Sequence, residues 1–431
     1  MFYDWASQPF HTLILTFVFA PYFVAMVAET PAKGQEIWGY AVAIGSVLIA
    51  VSAPVLGAIA DSAGPRRPWI LSFSALYVIG VSGLWFAAPG AQNPAAILIF
   101  FVIGLIGVEF TAVFTNSLLP MLAPKADLGR ISGSGWALGY WGGLLALALV
   151  LGFLVPGPGG ELTLFGLRPA FGLDPALGEG ARATGPLSAL WYVVFMIPFF
   201  LWAPDAPRKA GRAMDGLRQL RQTLASLPRE PSFFAFLGAS MFYRDALNGL
   251  YVFGGVFAAG VLGWGAFQLG VFGIVAALAG AVGAWAGGRA DWRFGPKPVI
   301  VGGVVALILV SCAVVATGRN EVFFIGVGAP DAPSSLPSVV LYVSGAVIGA
   351  AGGALQSASR TMLVRQAASG RVTEAFGVYA LAGKATSFLA PFFIALATGA
   401  TGSQRAGVAP VILLFIIGLA LMALVTRNGR E

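Results

Sequence analysis

Hydrophobic residues in this chain run in long uninterrupted blocks, and the polar residues gather between them. Blocks of about 20 apolar residues match the hydrocarbon thickness of a bilayer. Runs such as Ala95–Val108 and Gly142–Val155 do not alternate between apolar and polar, which argues against the short two-periodic strands of a membrane barrel. Lipid offers a backbone no hydrogen-bonding partner, so the blocks are expected to be helices. Twelve spans can be drawn: Pro9–Ala28, Trp38–Ala60, Trp69–Ala88, Ala95–Leu118, Gly135–Val155, Leu187–Trp202, Phe234–Ala258, Trp264–Ala286, Val299–Thr317, Val339–Met362, Ala375–Thr398 and Val408–Thr426. Trp38, Trp69, Trp202 and Trp264 sit at span edges, where an interfacial aromatic belt places them.

Composition and charge sharpen this picture. Charged residues make up only 10% of the chain, against roughly 25% in a soluble domain, so a soluble fold of this size could not cover its own surface. Of the 25 Lys and Arg residues, eighteen fall in loops or at span ends on one side, five on the other and two deep within spans. Basic loops stay cytoplasmic, so both termini are predicted to be inside. The net charge of +7 is thereby a topological signal, and no nucleic-acid module accompanies it. The first apolar stretch starts almost at the N-terminus without a basic leader, and is read as a membrane helix rather than a cleaved signal. One cysteine, Cys312, and one histidine make neither a disulfide nor a zinc site, and no cofactor or metal is expected. Cys312 is expected to be a small buried hydrophobe.

The chain divides near its middle. Residues 203–232 are basic and polar, and read as a cytoplasmic linker between six-helix bundles at 1–202 and 233–431. A repeat supports two related halves. Gly57-Ala-Ile-Ala-Asp61-Ser-Ala-Gly64-Pro-Arg66-Arg67 follows the second span, and Gly287-Gly-Arg289-Ala-Asp291-Trp-Arg293-Phe-Gly295-Pro-Lys297 follows the eighth. Glycine permits close helix contact and tight turning, and the carboxylate can cap a helix or meet a base. With this repeat the chain resembles the major facilitator superfamily over almost its whole length. The resemblance implies an all-α polytopic fold of twelve transmembrane helices in two pseudo-symmetric six-helix bundles. It also implies a cytoplasmic gate built from Asp61, Arg66 and Arg67, with Asp291 and Arg293 in the degenerate second copy. Ser62, where the superfamily commonly has a base, and an extra residue between Asp291 and Gly295 are departures.

A narrower similarity rests on Tyr3-Asp4-Trp5-Ala6, Asn116-Ser-Leu-Leu-Pro120, Gly129-Arg130-Ile-Ser132-Gly-Ser-Gly135-Trp136-Ala-Leu-Gly139-Tyr140 and Phe376-Gly-Val-Tyr379-Ala-Leu-Ala-Gly383-Lys384-Ala-Thr386-Ser387. Together these resemble the autophagy-associated vacuolar effluxer branch, which has many bacterial members and whose fungal members move amino acids out of the vacuole. The resemblance implies a bacterial inner-membrane protein that exports an amino acid or related solute. Family alone does not supply a substrate.

Charges at membrane depth are expensive and commonly mark a pathway. Glu109, Arg244, Asp245 and Lys384 lie inside spans and sum to no net charge. Arg244, Asn248 and Tyr251 form one stripe on the seventh helix at i, i+4 and i+7, with Asp245 beside it. Arginine suits a carboxylate, and Asp245 or Glu109 could carry a proton. His11, Asn116 and Gln356 are further polar candidates, each with a plain structural alternative as a helix-to-helix hydrogen bonder. Gly345, Gly349, Gly352 and Gly353 read as a close-packing face. The Asn93-Pro94-Ala95 tripeptide of water channels occurs once, where that fold needs two copies. No clustered nucleophile and base is present, so an enzyme is not expected. The reading is a monomeric, proton- or sodium-coupled secondary transporter of a small-molecule substrate working by alternating access in the lipid bilayer. A lipid or amphiphile translocator and a non-transporting sensor are the alternatives.

Overall fold

The structure, a computed structural model, describes residues 2–63, 65–90, 93–118, 128–157, 161–205, 229–329, 332–366 and 372–426. Its main helices are α1 (Phe2–Val27), α2 (Pro31–Ala63), α3 (Arg67–Phe86), α4 (Pro94–Asn116), α5 (Leu128–Phe153), α6 (Glu179–Trp202), α7 (Pro231–Leu262), α8 (Ala266–Phe294), α9 (Pro296–Val315) and α10 (Leu336–Gln366). They continue with α11a (Val372–Ala385), α11b (Leu389–Thr401) and α12 (Gln404–Ala423). Among the described residues eleven helices are long and apolar enough to cross a membrane, and α5 contributes the shorter apolar stretch Leu138–Phe153. This is the all-α polytopic architecture the hydropathy blocks predict. Most of the expected linker, at 206–228, lies outside the described residues, as do 119–127 with Pro120 and the side chains of Asp61 and 128–137.

Proline sets many of the helix starts. Pro31, Pro94, Pro231 and Pro296 occupy first turns, where the missing N–H would have had no partner. The side chain of Asn93 accepts from the N–H of Ala96 at 3.3 Å, so the Asn-Pro-Ala tripeptide is a helix start. Gly295 links α8 to α9 at φ 84°, a conformation other residues resist.

Among the described residues, α1 and the eleventh span depart most from regularity. Residues Phe10–Phe17 and Phe23–Val27 of α1 are π-helical, and Val18 donates to the carbonyl of Leu13 at 3.0 Å. Such widened turns recur at functional sites. The eleventh span, expected to be continuous over Ala375–Thr398, is instead interrupted between Ala385 and Leu389. Pro391 explains the break: its ring clashes with a carbonyl one turn back, and its missing N–H leaves that carbonyl without a donor.

The helices separate into two compact units. The first comprises Met1–Thr30, Ile44–Gln222 and Gly265–Gly270. In it Gly80 lies against the backbone of Gly104, and Gly107 against that of Tyr77, so α3 and α4 pack backbone to backbone. Buried tyrosines add polar ties: Tyr3 donates to the carbonyl of Val108 at 2.6 Å, and the Tyr192 hydroxyl pairs with that of Ser74 at 2.7 Å. The second unit comprises Pro31–Ala43, Thr223–Trp264 and Val271–Glu431. Here Gly349 and Gly353 of α10 meet the carbonyls of Ala276 and Gly280 on α8, as the glycine face of α10 suggested. The fully buried amide of Gln35 donates to Thr398 Oγ1 at 2.9 Å and accepts from Gln404 Nε2 at 3.2 Å. Tyr243 and Ser359 share a hydroxyl–hydroxyl bond of 2.8 Å.

Large apolar side chains remain exposed along the helices, among them Val51, Leu71, Ile99, Leu278 and Leu309. In a bilayer these face lipid and carry no penalty. Cys312 belongs with them. It is exposed rather than buried, because it falls three residues after Leu309 on the same side of α9.

Gly107→Val is expected to lower the thermal midpoint in detergent, because its side chain must push apart the α3–α4 backbones at about 1–3 kcal/mol. Gly302→Ala, where a Cβ meets nothing within 4 Å inside α9, is expected to leave the midpoint unchanged or raise it.

Candidate functional site

The break in the eleventh span organises the polar groups of the second unit. Asp245 stands midway along α7 and is buried, with 3% of its surface exposed. Its Oδ2 accepts from the backbone N–H of Ala390 at 2.8 Å, in the first turn of α11b. Its Oδ1 is buried and has no hydrogen-bond partner. The approach depends on Gly249, one turn along α7, where a Cβ would come within 2.8 Å of Ala390 Cβ. The carboxylate thus serves as a side-chain cap from a neighbouring helix, at the end where the helix dipole favours negative charge. The interrupted turn is further satisfied from within: Ser387 Oγ donates to the carbonyl of Lys384 at 3.0 Å, and Thr386 Oγ1 to that of Ala382 at 3.3 Å.

Arg244 is held on the α11a side of the same break. Its guanidinium lies 4.2 Å from the centroid of the Tyr379 ring, and Nη1 donates to the carbonyl of Tyr379 at 3.1 Å. The Tyr379 ring is stacked in turn on Phe236, 5.9 Å away at an interplanar angle of 3°. Gly383 leaves the space the guanidinium fills, since a Cβ there would stand 2.7 Å from Nη1. Stacking and one backbone bond fix the plane of the fork and leave further N–H groups for a ligand. Lys384, next to Gly383, is half-buried in the last turn of α11a. The α7 stripe continues through Asn248, which is exposed, to Tyr251, whose hydroxyl packs against Gly352 on α10. Gln356 is half-buried one turn further along α10. Arg244, Asp245, Lys384, Tyr251 and Gln356 therefore share one compact unit.

The remaining pathway candidates belong to the other unit. Glu109 is half-buried on α4, directly after the carbonyl that binds Tyr3. Asn116 is exposed in the last turn of α4. His11 lies in the π-helical part of α1, edge-on to Phe10 with centroids 5.6 Å apart.

Of the residues expected to form a cytoplasmic gate, Arg66, Arg67, Asp291 and Arg293 have described side chains. Arg66 is buried. Its backbone N–H donates to Asp205 Oδ1 at 2.6 Å, and its Nε to Ser117 Oγ at 3.1 Å. The Arg67 N–H also reaches Asp205, at 3.4 Å, and its guanidinium donates to the carbonyl of Ala203. Asp205, which the sequence did not single out, is thus the carboxylate that caps α3. In the second copy Asp291 is buried with Oδ1 unpartnered, while Arg293 is exposed with its guanidinium 5.4 Å from the Phe294 ring. No group of three or more metal-ligating side chains occurs among the described residues.

Two further participants were unmarked in the sequence. Tyr379 appeared only as part of a motif, although it lies four residues before Gly383, on the same helix face. The break itself was signalled only by Pro391.

Asp245→Ala removes the acceptor for Ala390 N–H and is expected to cost about 0.5–2 kcal/mol, seen as a lower thermal midpoint in detergent. Asp245→Asn keeps an acceptor oxygen and is expected to retain most of it.

Residues 24–430 match the family model described as "Vacuole effluxer Atg22 like". An uncharacterized MFS-type transporter of Bacillus subtilis, YxiO, is 22% identical across 99% of this chain and 94% of its own length. Among solved structures, a D-xylose–proton symporter superposes with a TM-score of 0.71 over 100% of this chain and 96% of its own, at 13% identity. The nucleoside transporter NupG gives 0.59 over 98% and 96%, at 14% identity.

Proposed function

The chain belongs to the Atg22-like vacuole effluxer family of the major facilitator superfamily, and from that membership we propose that it exports a small carboxylate-bearing metabolite, an amino acid or a close relative, in exchange for protons. That it is a multi-pass secondary transporter follows from family and fold together. The substrate class, the direction and the coupling ion are the proposed part.

One observation carries the substrate class: the guanidinium of Arg244 is braced by Tyr379 and Gly383, with donors to spare, beside a broken helix. Arginine binds a carboxylate through two parallel N–H bonds, and a pre-oriented fork gives up little conformational freedom in doing so. Broken membrane helices recur at transporter binding sites because their exposed backbone ends can meet ligands and ions. In this reading Lys384 adds positive potential for the same anionic group, while Asn248, Tyr251 and Gln356 line the path. Asp245 offers a carboxylate oxygen that no protein group occupies, which suits it to carry the proton, with Glu109 as a second acidic station in the other unit. His11 and Asn116 are auxiliary polar positions there. Asp61, Arg66, Arg67, Asp291 and Arg293 serve as the cytoplasmic gate. Both termini lie in the cytoplasm, the membrane is the bacterial inner membrane, and a monomer suffices.

The test is uptake and counterflow of a labelled amino-acid panel in proteoliposomes, with and without an imposed pH gradient, for wild type and Asp245→Asn. Wild type is expected to exchange at least one member of the panel and to accumulate it under the gradient. Asp245→Asn is expected to keep exchange and lose gradient-driven accumulation. No movement of any amino acid by folded, inserted protein would refute the substrate class.

A further inference from the structure

The connection between α9 and α10 carries a second feature, independent of the transport path. Two short antiparallel hairpins fill it: β1 (Glu321–Val322) with β2 (Ile325–Gly326), and β3 (Gly328–Ala329) with β4 (Ala332–Pro333). The first hairpin turns on two residues, Phe323 and Phe324, at φ 53° and 63°. A two-residue hairpin turn of this kind needs positive φ at both positions and normally uses Asn-Gly. Bulky side chains there are strained, and strain retained in a fold points to a use. Among the described residues only one other non-glycine has positive φ: Phe171, also a phenylalanine, also in a connection between spans, and 94% exposed.

The strained turn displays its rings instead of burying them. Phe323, Phe324 and Ile325 are 57%, 71% and 68% exposed. The tip does not project away from the helices. The N–H of Phe324 donates to the carbonyl of Ala316 at 3.0 Å, one residue past the end of α9. Arg405 pins it from below: Nε donates to the carbonyl of Val315 at 3.2 Å, Nη1 meets Glu321 Oε2 at 2.7 Å, and the guanidinium lies 5.3 Å from the Phe324 ring. The apolar tip is therefore held level with the last turn of a membrane span. The two spans that this connection joins also carry exposed apolar side chains, Val305 and Leu309 on α9 and Val339 and Val343 on α10. Arg319 is exposed at the base of the hairpin, a cation placed for lipid phosphate.

We propose that the Phe323–Phe324–Ile325 tip is a membrane-interface anchor, seated at the boundary between headgroups and acyl chains of the extracytoplasmic leaflet. Aromatic and apolar side chains flanked by arginine are stabilised at that depth, where ring and cation each find their own environment. The occupant of this surface is lipid, because the Ala316 bond fixes the tip at the end of α9, a span whose exposed apolar side chains face lipid.

The test uses full-length protein carrying Cys312→Ser, reconstituted in phosphatidylethanolamine–phosphatidylglycerol vesicles, with a nitroxide at Ile325→Cys. Power-saturation spectroscopy compares collision with oxygen, which concentrates in the bilayer, and with a water-soluble nickel chelate. The proposal predicts that oxygen dominates. Dominance of the nickel chelate, or exclusion of both reagents by a lid contact or a second copy, would overturn it. A second protein adds Phe323→Asn and Phe324→Gly, which relieve the turn, so it is expected to fold with an unchanged or higher thermal midpoint. In it the balance is expected to move at least severalfold toward the nickel chelate. A label still dominated by oxygen would show that the phenylalanines are not the anchor.

Discussion

A polypeptide in lipid has no water to satisfy its backbone, so every N–H and C=O must find a partner inside the protein. That constraint makes each span a helix, and it also makes each interruption conspicuous. Two interruptions stand out among the described residues, and each is closed by identifiable groups. In α1 the π-helical turns re-pair the backbone around Pro9 and Pro21 with longer-range bonds such as Val18 to Leu13. In the eleventh span the break forced by Pro391 is closed by hydroxyls of Thr386 and Ser387 and by the Asp245 carboxylate. An acid that costs several kcal/mol to insert is thereby tied to a backbone group that also needs a partner.

The same constraint shapes the packing. Lipid is as apolar as a leucine side chain, so helices gain little by hiding leucine from it. Close contact through small residues does the work instead, as where Gly107 meets the Tyr77 backbone and Gly353 meets the carbonyl of Gly280. Buried tyrosines and the amides of Gln35 and Gln404 add directed hydrogen bonds between helices. Bulky side chains are left outward, and Cys312 goes with them.

The helical architecture was legible because hydropathy is a one-dimensional property: a span needs only a run of apolar residues, and each run can be read without knowing its neighbours. The family was legible through loop motifs that place glycine, acid and base at fixed intervals. The site was half legible. Helical spacing picked out Arg244, Asn248 and Tyr251 and the adjacent Asp245, because expensive residues in apolar runs stand out. What those residues touch was not legible, since no spacing on α7 reveals that Asp245 caps Ala390 or that Arg244 lies on Tyr379. Asp205 went unmarked for the same reason: a carboxylate just after a span looks like an ordinary loop residue until its acceptance from Arg66 and Arg67 is seen. The break went unread because proline is tolerated within membrane helices and only sometimes splits them.

Arg244 is the proposed carboxylate anchor beside the broken helix. The most direct measurement is equilibrium binding of a labelled carboxylate solute that the wild type exchanges, by purified wild type and by Arg244→Lys. Lysine keeps the charge but lacks the planar fork and its stacking on Tyr379. Affinity at least tenfold weaker in Arg244→Lys, with an unchanged thermal midpoint, is the predicted result. Equal affinity in the two proteins would contradict it.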